Sequence, residues 1–146
     1  MAQKYYPLGN TPSYFQLAGL SATTVMALSC FKRKIETGED TPVTPGDTRP
    51  VEDVALSRLE GMQECFDNNT DLGRCFFDYS YLRKNPDYIT LSQEWKEVIE
   101  QTKKEITERK PSSGIEKLMI MAHNLGDFCL EQTDSGYVRL NEEALV

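Results

Sequence analysis

At 146 residues the chain has room for one ordinary domain, or for an anchor plus a domain of about 100 residues, so a single core is all it can bury. Its 23 acidic residues outnumber 16 basic ones for a net charge of −7, and a phosphate backbone would be repelled by such a surface, which argues against nucleic acid as a partner. One histidine, no glycine-rich phosphate loop and no CxxC or HxxxH pair leave little from which to build a metal, cofactor or nucleophile site.

From Tyr5 to Phe31 no residue is charged, and the run stops at Lys32-Arg33-Lys34. Its most apolar part, Tyr14 to Phe31, would span roughly 27 Å as a helix, the thickness of a thin bilayer. Aromatic residues at one end and the basic triplet at the other match the flanks of a membrane span. Leu17, Ala18, Leu20, Ala22, Val25 and Leu28 are then the packing positions, and Lys32, Arg33 and Lys34 the membrane flank. Ser21, Thr23, Thr24 and Ser29 dilute the interior, while small residues suit close contact with another helix. The same run also reads as a buried core helix, because Leu17, Leu20, Thr24, Ala27, Leu28 and Phe31 recur at three- and four-residue steps. Pro7, Gly9, Asn10 and Pro12 make the preceding arm turn-rich up to Ser13, a candidate cap. If the run spans a membrane, the basic excess behind it places the long carboxy-terminal part on the cytoplasmic or matrix-like side.

Residues 35–50, with three prolines and two glycines after Ile35, read as a flexible linker. Pro42-Val43-Thr44-Pro45 has the PxxP spacing that aromatic grooves recognise. Past the basic triplet, removing Lys4, Lys32, Arg33 and Lys34 leaves 12 basic residues against 23 acidic ones, a formal charge of −11 that suits a basic protein partner. The first bundle helix follows Pro50 with the stripe Val51, Val54, Ala55, Arg58, Leu59, Met62 and Phe66. Thr70 or Asp71 opens a second that Asn85-Pro86 stops. Thr90 with Gln93, and Ser113 with Glu116, have capping-box spacing for a third helix to Arg109 and a fourth, most apolar one near the bundle centre. Residues 134–146 form a tail, with a short extended piece at Gly136 to Leu140 and a half-turn capped by Asn141.

Cys65 and Cys75 have nine residues between them, a spacing that resembles the CX9C elements of helical hairpin proteins of the mitochondrial intermembrane space. Those proteins carry two such elements on facing helices, where this chain has one. The resemblance implies a Cys65–Cys75 disulfide in an oxidising compartment. The predicted orientation instead places this part on the reducing side, where all four cysteines are small buried thiols. His123 lies inside the apolar fourth helix as a hydrogen-bonded helix histidine, and Glu94 with Glu97, Glu142 with Glu143 and Asp127 near Glu131 read as surface charges. Asn85-Pro86-Asp87-Tyr88, Tyr79 to Leu82, Tyr88 to Leu91 and the sequon Asn68-Asn69-Thr70 fit short recognition or modification motifs, each with a plain structural reading as a helix stop, buried aromatics or a turn.

The expectation is an all-α chain: an apolar amino-terminal helix (1–34) that is a single-pass transmembrane candidate, a linker (35–50), an acidic bundle of three to four helices (51–133) and a tail (134–146). It implies a non-catalytic accessory subunit of a membrane complex, such as a respiratory-chain or ATP-synthase assembly of the mitochondrial inner membrane. The alternative is a cytoplasmic helical adaptor, chaperone or inhibitor that binds a basic protein. Neither reading calls for a cofactor, a metal or a small-molecule substrate.

Overall fold

Prolines and side-chain caps set where the helices begin. The computed structural model describes residues 6–7, 11–67, 69–84, 87–133 and 137–138. The long helix α1 runs Thr11–Thr37, starting two residues before the expected cap Ser13 and carrying Pro12 in its first turn, where the missing N–H costs nothing. Pro50 precedes α2 (Val51–Met62), whose first turn holds Glu52 and Asp53 at the positive end of the helix dipole. A 3-10 turn, Gln63–Phe66, extends it, and the Thr70 hydroxyl accepts from the Gly73 N–H to open α3 (Asp71–Tyr79). A π-helical turn, Ser80–Lys84, follows.

Helix α4 (Tyr88–Glu108) is capped by Asp87, whose carboxylate takes the Thr90 N–H and hydroxyl, in place of the expected box from Thr90 and Gln93. These bonds hold the Asp87 carboxyl below its ordinary range. Helix α5 (Ser113–Thr133) completes the bundle. Tyr6–Pro7 (β1) pairs antiparallel with Tyr137–Val138 (β2), the latter inside the extended piece expected at Gly136 to Leu140. The half-turn expected at Asn141 lies outside the described residues. The class is therefore all-helical, a long apolar helix followed by four more.

One core joins everything. Tyr14, Leu17, Leu28 and Phe31 of α1 are fully buried in the same cluster as Leu59, Trp95, Ile99, Leu118 and Leu125. The buried cluster thus runs from α1 into the helices of residues 51–133. Within residues 35–50, expected as a linker, Val43 of the PxxP sequence is buried in that core. Gly46, with φ of +83, turns the chain back, and Asp47 grips the Arg49 side chain and N–H. A handful of anchored residues is enough to order an irregular strap.

Helices α1 and α5 run antiparallel at close range. An added Cβ at Gly126 would sit 3.3 Å from Ser21 Cβ, so two small residues set how near the helices come. Thr23 and Thr24 return their hydroxyls to carbonyls one turn back, at 3.0 and 2.7 Å, which removes their polarity from the interface. The small, hydroxyl-rich middle of α1 is therefore used against a helix of the same chain. At the start of α5 the joint with α4 is polar: Glu105 of α4 accepts from the N–H groups of Ser112, Gly114 and Ile115 at 2.8, 2.9 and 3.0 Å. This carboxylate caps α5 where the sequence suggested Ser113 with Glu116, and Glu116 turns outward to Lys32 instead.

Candidate protein-binding surface

Helix α2 buries Val51, Val54, Ala55, Leu59 and Met62, and the periodicity that sinks them raises Asp53, Ser57, Glu60 and Glu64 on the opposite face. Asp67 and Asp71, both exposed, continue the line into the start of α3. Asp53, Glu60, Glu64 and Asp67 form no ion pair among the described residues, whereas Asp71 pairs with Arg74 one turn on. The result is an acidic ridge about 16 Å long from residue 53 to residue 64, at 1.5 Å per helical residue.

At the amino-terminal end of the ridge, charges are matched internally. Glu52 receives Lys34 at 3.0 Å and is also paired with Arg109, tying α1, α2 and the end of α4 together. Burial works to raise the Glu52 carboxyl, but its own backbone N–H, Lys34 and Arg109 outweigh that and hold it below the ordinary value. Arg109 ends α4 with φ of +57, a left-handed conformation that favours glycine, and its side chain closes over Glu52 from there. The open cleft beside this pair has a volume of about 430 Å³ and is lined by Lys34, Glu52, Asp53 and Arg109, so its charges cancel.

The expected membrane positions divide between two faces. Leu17, Ala18 and Leu28 are buried, Leu20 and Val25 are half-buried, and Ala22 is exposed. Of the basic flank, Lys32 pairs with Glu116 and Lys34 with Glu52, while Arg33 is exposed. Among the described helices, α1 is the one long and apolar enough to cross a membrane, and 44% of its most apolar window is buried inside this fold.

No bridge joins Cys65 to Cys75; all four cysteines are free. Both side chains point into the core, and burial pushes each thiol up to about 12. Cys129 is raised likewise, first by burial and then by the neighbouring Cys75 and Cys65. These three thiols behave as small apolar side chains. His123, expected as a hydrogen-bonded helix histidine, is exposed on α5 with Nε2 3.4 Å from Asp127 one turn away.

No family model, curated protein or solved structure matches the chain.

The short motifs resolve into structural parts. Thr70 of the sequon caps α3, with Asn68 outside the described residues. Asp87 of the NPxY sequence caps α4, while its Asn85 and Pro86 lie outside the described residues. Tyr79 is buried against Phe128, and Tyr81, Leu82 and Ile89 are exposed around the π turn. Sequence reasoning missed two residues that matter to the architecture. Glu105 looked like one surface charge among many on α4, and Asp78 gave no signal. Asp78 accepts a 2.6 Å hydrogen bond from the buried Tyr14 hydroxyl, and burial raises its carboxyl despite that bond.

Proposed function

We propose that this is a non-catalytic helical binding protein whose α2 ridge seats a basic surface of a protein partner. The observation that carries the reading is the row Asp53, Glu60 and Glu64, exposed on one helix face and in no ion pair among the described residues, with Arg49 within electrostatic reach of Asp53 alone. Carboxylates left uncompensated along a rigid helix attract a cationic partner over a Debye length and fix its register on contact. The partner is a cationic helix or strand with Lys or Arg at matching steps. Such a protein works as an adaptor, chaperone or inhibitor of the partner it covers.

A second reading is favoured by the length and apolar character of α1: an accessory subunit docked on a membrane complex, with the mitochondrial inner membrane as one setting. It asks α1 to trade its contacts with α5 for contacts with other helices. Because Tyr14, Leu17, Leu28 and Phe31 occupy the core, that exchange would open the bundle, and the first reading needs no such step.

Backbone amide NMR during titration with a synthetic Lys-rich helical peptide tests the proposal. The expected result is a set of shifts confined to residues around Asp53, Glu60 and Glu64, weakening as salt rises. Reversing the three charges (Asp53→Lys, Glu60→Lys, Glu64→Lys) should weaken binding by at least about tenfold. Shifts scattered over the whole surface, unchanged in the triple variant, would overturn it.

A further inference from the structure

Asp78 and Glu105 are both drawn into the fold, and they are served very differently. Glu105 collects four donors, the N–H groups of Ser112, Gly114 and Ile115 and the Gln101 side-chain amide. Asp78, half-buried near the end of α3, has one donor among the described residues, the Tyr14 hydroxyl of α1 at 2.6 Å. An ionised carboxylate accepts through two oxygens and about four lone pairs, so a single donor leaves its charge short of partners, whereas the neutral acid asks for far less. The two carboxyls shift in opposite directions as a result. Glu105 goes down, and Asp78 goes up because burial outweighs the Tyr14 bond.

Among the described side chains, none near Asp78 offers a counter-charge. From α1 it meets Tyr14 and on its own helix Cys75, while Cys129 of α5 acts on the same tyrosine. Cys65, on the 3-10 turn packed against α3, acts together with Cys75. Helix α4 reaches α3 through Tyr88 and Trp95, which lie against Phe76 and Phe77, and the π turn adds the exposed Tyr81. Every titratable group in this set becomes negative on losing its proton, so none compensates a charged Asp78. Arg74, one turn back on α3, is paired with Asp71. Burial and the bond to Asp78 push the Tyr14 hydroxyl upward, which keeps it a proton donor at neutral pH.

We propose that Tyr14 and Asp78 form a proton-operated latch, which holds the start of α1 against α3 while the carboxyl is protonated and loosens it as the carboxyl ionises. The ionised group gains by turning outward to water, which its half-buried position allows. That turn strips the fully buried Tyr14 hydroxyl of its acceptor. Both partners sit where movement has leverage. Tyr14 lies in the first turn of α1 with its ring 6.1 Å from that of Phe128, and Asp78 stands just before the π turn, where the backbone leaves regular α geometry. By linkage, a carboxyl whose folded pKa lies above its unfolded one costs no stability below the unfolded value. The cost grows across the interval between the two and is constant above the folded value. Mild acid therefore tightens the start of α1, and rising pH relaxes it.

The ¹³C chemical shift of the Asp78 carboxyl, followed against pH in the full chain, reads the titration directly. Its midpoint should lie above the ordinary aspartate range and climb further in Tyr14→Phe, which removes the donor. Asp78→Asn keeps an acceptor for Tyr14 but cannot ionise. Its folded-to-unfolded ratio in urea, relative to wild type, should be at least about threefold higher near pH 7 than near pH 4. Amide hydrogen exchange places the effect in α1: the wild-type-to-variant rate ratio at residues 16–20 should fall at least about threefold between the same two pH values. A carboxyl midpoint within or below the ordinary aspartate range overturns the proposal. So do exchange rates at the start of α1 that Asp78→Asn leaves unchanged at every pH.

Discussion

Helix α5 is held on its two flanks by opposite means. Against α1 the contact is close and, apart from the Lys32–Glu116 pair near one end, uncharged, set by Ser21 facing Gly126 with the Thr24 hydroxyl folded back on its own helix. Against α4 the joint turns on one carboxylate, Glu105, which gathers three backbone N–H groups at the start of α5 and the Gln101 side-chain amide besides. The difference teaches how to read an apolar helix. Hydropathy records how little polarity a helix shows its surroundings. It does not say whether those surroundings are lipid or another helix of small residues.

The largest test of this contrast removes α1 altogether. Fully burying a large apolar side chain is worth about 1.5–3 kcal/mol, so losing Tyr14, Leu17, Leu28 and Phe31 costs on the order of 6–12 kcal/mol, comparable with the whole stability of a small domain. A chain lacking residues 1–34 should keep much of its far-UV helix signal but lose its near-UV signal and bind a hydrophobic dye. A truncated protein with sharp near-UV bands would show that the contact with α1 contributes little.

A smaller effect is expected at the polar joint. Glu105→Gln replaces charge-assisted caps with neutral ones, for a loss of about 1–2 kcal/mol in urea unfolding at pH 7. Burial of Glu105 works to raise its pKa, and the bonds from Gln101, Ile115, Ser112 and Gly114 prevail and lower it. The stabilisation is therefore complete above the carboxyl's unfolded pKa and is lost as pH falls through the lower, folded one. Wild-type protein and Glu105→Gln should converge in stability as the pH is lowered through that window. Parallel curves would mean that the charge of Glu105 is not what holds α5.

The smallest expected change is a gain. Gly19→Ala should raise the stability, measured by urea unfolding, by about 0.5–1 kcal/mol. Gly114→Ala should do the reverse, since its Cβ would fall 2.5 Å from Glu105 Oε2 and 2.8 Å from Gln101 Cγ and force the cap apart. Equal effects at the two sites would undo the distinction between a glycine hemmed in by its neighbours and one with open space around it among the described residues.

Local chemistry was legible in the sequence wherever one residue decided it. Thr70 opens α3 and Pro50 leads into α2 as their side chains dictate, and Asn69 and Thr70 lie in the polar turn between them. What failed was long-range. Thr90 with Gln93 and Ser113 with Glu116 are sound capping pairs, yet Asp87 and Glu105 cap these helix starts with a full charge in their place. Val43 has too few apolar neighbours in sequence to predict its burial, because the neighbours that bury it come from elsewhere in the chain. The acidic ridge follows from the α2 periodicity, since the stripe that names the core also names the face left outside.

Three thiols locked in the core and one half-exposed on α1 give this protein an internal clock. A maleimide added to the native chain can reach Cys30 first, while Cys65, Cys75 and Cys129 react only as often as the interior parts. The lag between the first label and the remaining three thus times the opening of the bundle, without any engineered probe.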